Sequence, residues 1–220
     1  MSEQPAAPKL RTPRWERWQK VARRIRVPLG FVTAGIYLYM AATHPAHPAA
    51  IAWSLVLVAP GLVLRAAASG TVKKNRELTV TGPYAFTRNP LYLGSTLIAA
   101  GFAVALMSWP VALLLAAGFV LIYVPVIAAE ERFLRDTFPA FSDYCRHVPR
   151  FLPRVTPWKS QGGNDLTGVS QAVTSASIHD FSLGLYRKHR EYNAALGAAL
   201  LYLCLLLLRP VLETILRRGW

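Results

Sequence analysis

The sequence predicts an all-α protein threaded several times through a membrane, and three observations carry that expectation. Of 220 residues, 53% are hydrophobic and only 16% are charged, too few charges for a basic soluble domain of this size. The apolar residues are blocked rather than dispersed. Asn89 to Ala129 is a run of 41 residues without a charge, about twice the ~20 residues that one bilayer-spanning helix needs. Lys and Arg number 25 against 11 Asp and Glu, a formal charge of +14, and they gather between the apolar blocks. Together these features exclude a soluble globular fold, intrinsic disorder and a secreted disulfide scaffold.

Taken in order, residues 1–26 form a basic arm with eight Lys or Arg and prolines at 5, 8 and 13. The arm is long for a signal peptide and more apolar segments follow, so it reads as a cytosolic arm ending in a retained anchor. Beside a membrane span, attraction to anionic lipid head groups explains its charge more plainly than nucleic-acid binding. About five apolar segments follow, near Val27–Ala42, Ala49–Leu64, Pro90–Met107, Pro110–Ala129 and Asn193–Leu208. Several are short for a full crossing, which implies tilt or local thinning. The long block breaks at Ser108-Trp109-Pro110, because Pro suits a first helical turn and Trp the membrane interface. The expected organisation is a basic arm (1–26), two spans (27–69), a core (70–158), a polar linker (159–192) and a last transmembrane or interfacial helix (193–220). Arg209-Pro210 is expected to mark a kink or the end of the span.

Basic residues fall unevenly among the connections. There are five in residues 65–89 and nine in 130–192, but none in 44–48 or at 108–109. The positive-inside rule then places the N-terminus, 65–89 and 130–192 in the cytoplasm. Arg209, Arg217 and Arg218 fit this less well. If the third and fourth spans form a hairpin, positions 88 and 130 meet on one rim.

Several residues on that rim invite attention. Asn89-Pro90 suits a helix cap. Gly94, inside the helix, suits close approach by another helix or a ligand; for Gly101 and Ala105 helix packing is sufficient. Glu130-Glu131 at a helix C-terminus opposes the helix dipole and adds desolvation at the edge of hydrocarbon. Either Glu131 pairs with Arg135 one turn on, or the two carboxylates meet a cation or accept a proton. Arg132 to Phe138 reads as an amphipathic interfacial helix. Pro149 and Pro153 impose a rigid turn around Arg150, which then acts as a fixed cation or as a contact to lipid phosphate. Cys145 and Cys204 read as free thiols. No zinc-ligand pattern is present, and prolines around His44 and His47 argue against a metal site there.

The ordered blocks Thr81-Gly-Pro-Tyr-Ala-Phe-Thr-Arg-Asn-Pro-Leu-Tyr-Leu-Gly94, Glu130-Glu131, and Tyr144 with Val148-Pro-Arg-Phe-Leu-Pro153 resemble the integral-membrane methyltransferases. These comprise the isoprenylcysteine carboxyl methyltransferases and the phospholipid N-methyltransferases. The resemblance covers about residues 65–153. It implies a helical membrane enzyme that uses S-adenosylmethionine (SAM), bound near the cytosolic face. By position it assigns Tyr84, Arg88, Asn89, Pro90, Tyr92, Gly94, Glu130 and Glu131 to the cofactor, and Arg88, Glu130 and Glu131 to catalysis. Tyr144, His147 and Arg150 fall to substrate or interface. Asn89 stands where the carboxyl methyltransferases usually carry His, and it cannot titrate as His does. His147 stands where Arg is common, and the tail after Pro153 has no family counterpart.

The resulting expectation is a SAM-dependent methyltransferase acting on a lipid or lipid-like acceptor at the cytosolic face of a membrane, with the bacterial inner membrane as its site. Membrane lipid is the expected partner and nucleic acid is not. One alternative is a methyltransferase for a small thiol or other small hydrophobic molecule. Another is a non-catalytic lipid-binding or assembly protein on the same fold. A transporter is disfavoured, since the third and fourth spans hold neither charge nor His.

Overall fold

The computed structural model describes residues 14–44, 47–72, 78–159 and 181–218. Residues 1–13 of the expected arm and 160–180 of the expected linker lie outside the described residues. Every regular element described is helical, in agreement with the predicted class. The helices are α1 (Arg14–Thr43), α2 (Pro48–Thr71), α3 (Pro90–Ala105), α4 (Trp109–Gly118), α5 (Val124–Thr137), α6 (Phe141–His147), α7 (Leu183–Lys188) and α8 (Tyr192–Arg218). Three stretches are long and apolar enough to cross a membrane: Pro48–Thr71, Trp109–Thr137 and Tyr192–Ile215. Pro28–Thr43 and Pro90–Ala105 are apolar but shorter; at 1.5 Å per residue, a 16-residue helix reaches only about 24 Å of a ~30 Å hydrocarbon core.

The centre of the bundle is the α2–α3 pair, and small residues explain its closeness. A Cβ added at Gly61 would lie 2.8 Å from the Gly94 carbonyl oxygen, and one at Gly101 would lie 2.8 Å from that of Ser54. Backbone therefore meets backbone at two levels, as small-residue interfaces permit. Tyr37 of α1, Val58 of α2, Phe102 of α3 and Ala198 of α8 pack together around this pair. Farther along, Ala41, Ala105 and Leu205 form the end opposite the site. Arg65 meets Glu191, and Ser54 meets Tyr202, so α8 runs antiparallel to α2.

The α3–α4 turn falls where the sequence places it. Met107 takes a left-handed φ of 49°, Ser108 is the N-cap of α4, and Pro110 occupies its first turn. The helix then loosens into a π turn over Phe119–Tyr123 before α5. Pro125 has no N–H, so the Leu121 carbonyl has no donor four residues ahead. The indole Nε1–H of Trp18 supplies one at 3.1 Å, and the Val124 N–H bonds back to Phe119.

Two expectations change. The stretch from Arg132 is not a separate interfacial helix but the unbroken continuation of α5 to Thr137. At Arg209-Pro210, expected as a kink or the end of the span, the helix itself runs on, since α8 continues through Pro210 to Arg218. Part of the segment read as linker is helical: α7 begins at Leu183, and its N-cap Ser182 donates its N–H to the Gly70 carbonyl at 2.8 Å.

Candidate functional site

The site lies at the end of the bundle where α2 stops, α3 starts and α5 stops. Gly82, with φ 57°, turns the chain into a single 3-10 turn, Gly82–Ala85. The following stretch, residues 86–89, is held by the segment after α6. Arg88 N–H donates to the Pro149 carbonyl at 3.0 Å, Arg154 N–H to Phe86, and Trp158 N–H to Ala85. Thr87 Oγ1 donates to the Phe151 carbonyl at 2.9 Å. The two prolines of 149–153 thus fix a ribbon against the entrance to α3. Beneath it, Leu78, Val80, Phe141, Tyr144 and Val148 form an apolar base. The Tyr144 hydroxyl donates to the Tyr84 carbonyl at 2.7 Å. Burial pushes that hydroxyl well above the usual tyrosine range, the nearby Tyr84 adds to this, and Arg88 opposes it.

Glu131 is the hub. It is 6% exposed, and its carboxylate faces two guanidinium groups. Arg150 donates through Nε at 3.0 and 3.1 Å and through Nη2 at 2.5 Å. Arg88 Nη1 lies 3.3 Å from Oε1. The hydrogen bond to Glu131, and then its charge, raise the Arg150 pKa further, against partial desolvation. Asn89 is the N-cap of α3, but its side chain makes no cap bond. Its Nδ2 instead donates to the Arg150 carbonyl at 2.9 Å and reaches Glu131 Oε1 at 3.5 Å. The capping expectation therefore yields to tertiary contacts, and the Glu131–Arg135 pairing to Arg150 and Arg88.

Glu130 points elsewhere. It is exposed and accepts from the Tyr92 hydroxyl at 3.1 Å. The sequence-distant rim is thereby real: Arg88 meets Glu131 and Tyr92 meets Glu130. These groups border a cavity of about 640 Å³ that also touches Tyr84, Asn89, Ser95, Tyr123, Tyr144, Arg65 and Glu191. That volume falls within the range of small-molecule sites. Arg88 Nη1 also donates to Cys145 Sγ at 2.8 Å, yet its Nε is buried with no hydrogen-bond partner among the described residues. Such a group is uncommon in a folded protein. Burial first, then Glu130, Glu191 and Tyr92, push the Tyr84 hydroxyl upward.

Not every expected residue borders this cavity. Gly94 faces Gly61 and Arg65 of α2, and Pro90 is buried in the first turn of α3. His147 lies outside, stacked on Trp158 with its Nδ1 3.0 Å from the Asp143 carbonyl. Arg150 stands behind Glu131 rather than in the cavity. Sequence reasoning missed Arg65, Ser95 and Glu191. Arg65 donates to Glu191 Oε2 through Nη2 at 2.7 Å and Nε at 3.1 Å, and through Nη1 to the Ser95 hydroxyl. An Arg at the end of an apolar helix and a Glu just before another are the only signals the sequence offers. Among the described residues, no three His, Cys, Asp or Glu side chains come together as a metal site would require.

Residues 66–140 match the family model described as phospholipid methyltransferase. This stretch is similar to a phospholipid methyltransferase domain. It holds both halves of the rim, Arg88 to Tyr92 and Glu130-Glu131, and agrees with the membrane methyltransferase superfamily that the motifs resemble. Over 89 residues, covering 40% of its length, the chain is 38% identical to the cobalt-zinc-cadmium resistance protein CzcN of Cupriavidus metallidurans. It is equally 38% identical to the nickel-cobalt-cadmium resistance protein NccN of Alcaligenes xylosoxydans xylosoxydans. The matched stretch is 41% of the first relative and 42% of the second, so the chain spans about two fifths of the length of the curated relatives it matches. No solved structure matches the chain. Arg65, at the edge of the matched residues 66–140, and Glu191, well beyond them, complete the cavity from outside.

Proposed function

We propose that this chain is a SAM-dependent methyltransferase acting on a lipid or lipid-like acceptor at the cytosolic face of a bacterial inner membrane. The observation that supports it most is a cavity bordered together by Arg88 and Glu130. A zwitterionic, cationic ligand fits that combination. The Arg88 guanidinium suits its carboxylate. Glu130, with one oxygen held by Tyr92, suits its amino or hydroxyl donors. When bound, SAM supplies a methyl group activated by the positive sulfur that carries it.

The chain's own residues then have distinct tasks. Glu131, engaged by both arginines, positions Arg88 and ties the 148–158 ribbon to α5. That leaves Glu130 as the carboxylate to receive a proton from an amine or thiol acceptor; a carboxylate acceptor needs none. Asn89 does not titrate and is not a base. Tyr84, Tyr123, Phe133, Phe138, Phe141 and Tyr144 along the cavity exclude water and align the reactants, the main demands of an in-line methyl transfer. The relatives' names add a setting of cobalt, zinc, cadmium or nickel resistance, and we read the enzyme as a membrane-modifying component of such a response.

The test is transfer of radiolabelled methyl from SAM into lipid extracts and small-molecule pools, with mass spectrometry of the labelled product. Label in a lipid fraction, lost in Arg88→Ala and Glu130→Ala, is the expected result. Label confined to a small thiol moves the acceptor class, and no SAM binding by the purified chain refutes the enzyme.

A further inference from the structure

The cavity has one wall that the matched residues 66–140 do not supply. The chain returns after the described gap at Phe181 and is fastened to the end of α2 at three levels. Ser182 N–H donates to the Gly70 carbonyl at 2.8 Å. His189 Nδ1 lies 2.9 Å from the Ser69 carbonyl. Glu191 takes both Nε and Nη2 of Arg65 on a single oxygen, Oε2. Its other oxygen, Oε1, accepts no hydrogen bond among the described residues. The side chains of Arg65 and Glu191 are 24% and 13% exposed, and both border the cavity.

Gly94 belongs to the same arrangement. A Cβ there would lie 2.7 Å from Arg65 Cγ and 2.7 Å from the Gly61 carbonyl oxygen. The glycine of the resembling motif therefore clears the path by which the Arg65 stem crosses α3. Ser95, the next residue, receives the far end of the same guanidinium. With Arg65 held on both sides, Glu191 has little rotational freedom, and its free oxygen is directed by a fixed cation rather than by solvent. Tyr84 lies within electrostatic reach of both Glu130 and Glu191, so the two carboxylates share one region of the cavity.

We propose that Glu191, supplied by the C-terminal segment and aimed by Arg65, is a binding residue for the methyl donor, with its free oxygen accepting from a cationic or hydrogen-bond-donating part of that ligand. This rests on the SAM reading above. Arg65 and Gly94 act as positioning residues, through Glu191 rather than on the ligand.

Calorimetry on the purified full chain with SAM and with S-adenosylhomocysteine tests it, because the two ligands differ only in the methyl group and its charge. Glu191→Gln keeps an acceptor for Arg65 and removes the charge, so SAM affinity is expected to fall about tenfold. Glu213→Gln, on α8 and paired with Arg209, is expected to leave it unchanged. A larger loss for SAM than for S-adenosylhomocysteine puts Glu191 beside the sulfonium. An equal loss puts it on the amino or hydroxyl groups common to both; either supports the inference. Glu191→Asp keeps the charge and should restore part of the affinity. Wild-type affinity for both ligands in Glu191→Gln, while Glu130→Gln weakens them, would overturn the role of Glu191 alone. Equal losses in the Gln and Asp variants, with lowered thermal midpoints in both, would overturn ligand contact in favour of a structural pair. A wild-type chain that binds no SAM would instead overturn the methyltransferase reading itself.

Discussion

Replacing Glu131 by Ala removes a carboxylate from between two cations and tests the hub directly. Breaking a buried ion pair by deleting one partner costs ~3–5 kcal/mol, because the remaining charge is left uncompensated. Here the two legs differ. The Arg88 side chain is 14% exposed and stays buried after the change, whereas that of Arg150 is 52% exposed and returns to water. The Arg150 leg is therefore discounted for solvent screening, which leaves about 3 kcal/mol for Glu131→Ala and about half for Glu131→Gln. At ~2–4 °C per kcal/mol for a chain of this size, the Ala variant should melt about 6–12 °C below wild type. The assay is thermal unfolding of the detergent-purified chain followed by intrinsic tryptophan fluorescence. The double variant Arg88→Met/Glu131→Leu should recover much of the loss, since no buried charge then lacks a partner. A Glu131→Ala shift under ~2 °C, or a double variant as unstable as the sum of its parts, would refute the hub.

Two further outcomes follow from the geometry. A Cβ at Gly101 would lie 2.5 Å from Val58 Cγ2 and 2.8 Å from the Ser54 carbonyl oxygen, and the latter is backbone that cannot rotate away. Gly101→Ala should therefore cost ~1–3 kcal/mol by overpacking, seen as a lower thermal midpoint, while Gly118→Ala, with nothing within 4 Å of the new atom, should not destabilise. The Tyr144 hydroxyl has a folded-state pKa raised by burial, so its stabilising contribution is complete below the unfolded value of ~10 and is lost as pH rises through the folded value. Tyr144→Phe should lose roughly 1 kcal/mol at neutral pH, with its bond to the Tyr84 carbonyl, and decline less steeply than wild type above pH ~10 in a pH series of thermal midpoints.

The sequence by itself determined the helical class, the apolar stretches and the turn at Ser108-Trp109-Pro110. These are properties of single segments: a long uncharged run makes its backbone bonds internally, and Pro with a preceding turn residue starts a helix wherever it stands. It also identified Arg88, Tyr92, Glu130 and Glu131 as rim residues, because a short turn between antiparallel helices forces their far ends together. Only the tertiary structure decided who pairs with whom. Asn89 forgoes the cap bond for Glu131 and the Arg150 carbonyl, and Glu131 passes over Arg135 for guanidiniums 19 residues ahead and 43 behind. Gly94 serves the path of Arg65 rather than the cavity surface. Glu191 is 126 residues from Arg65, and no local pattern encodes that meeting. It depends on α8 packing antiparallel to α2, a choice made by shape and buried contacts across the whole bundle.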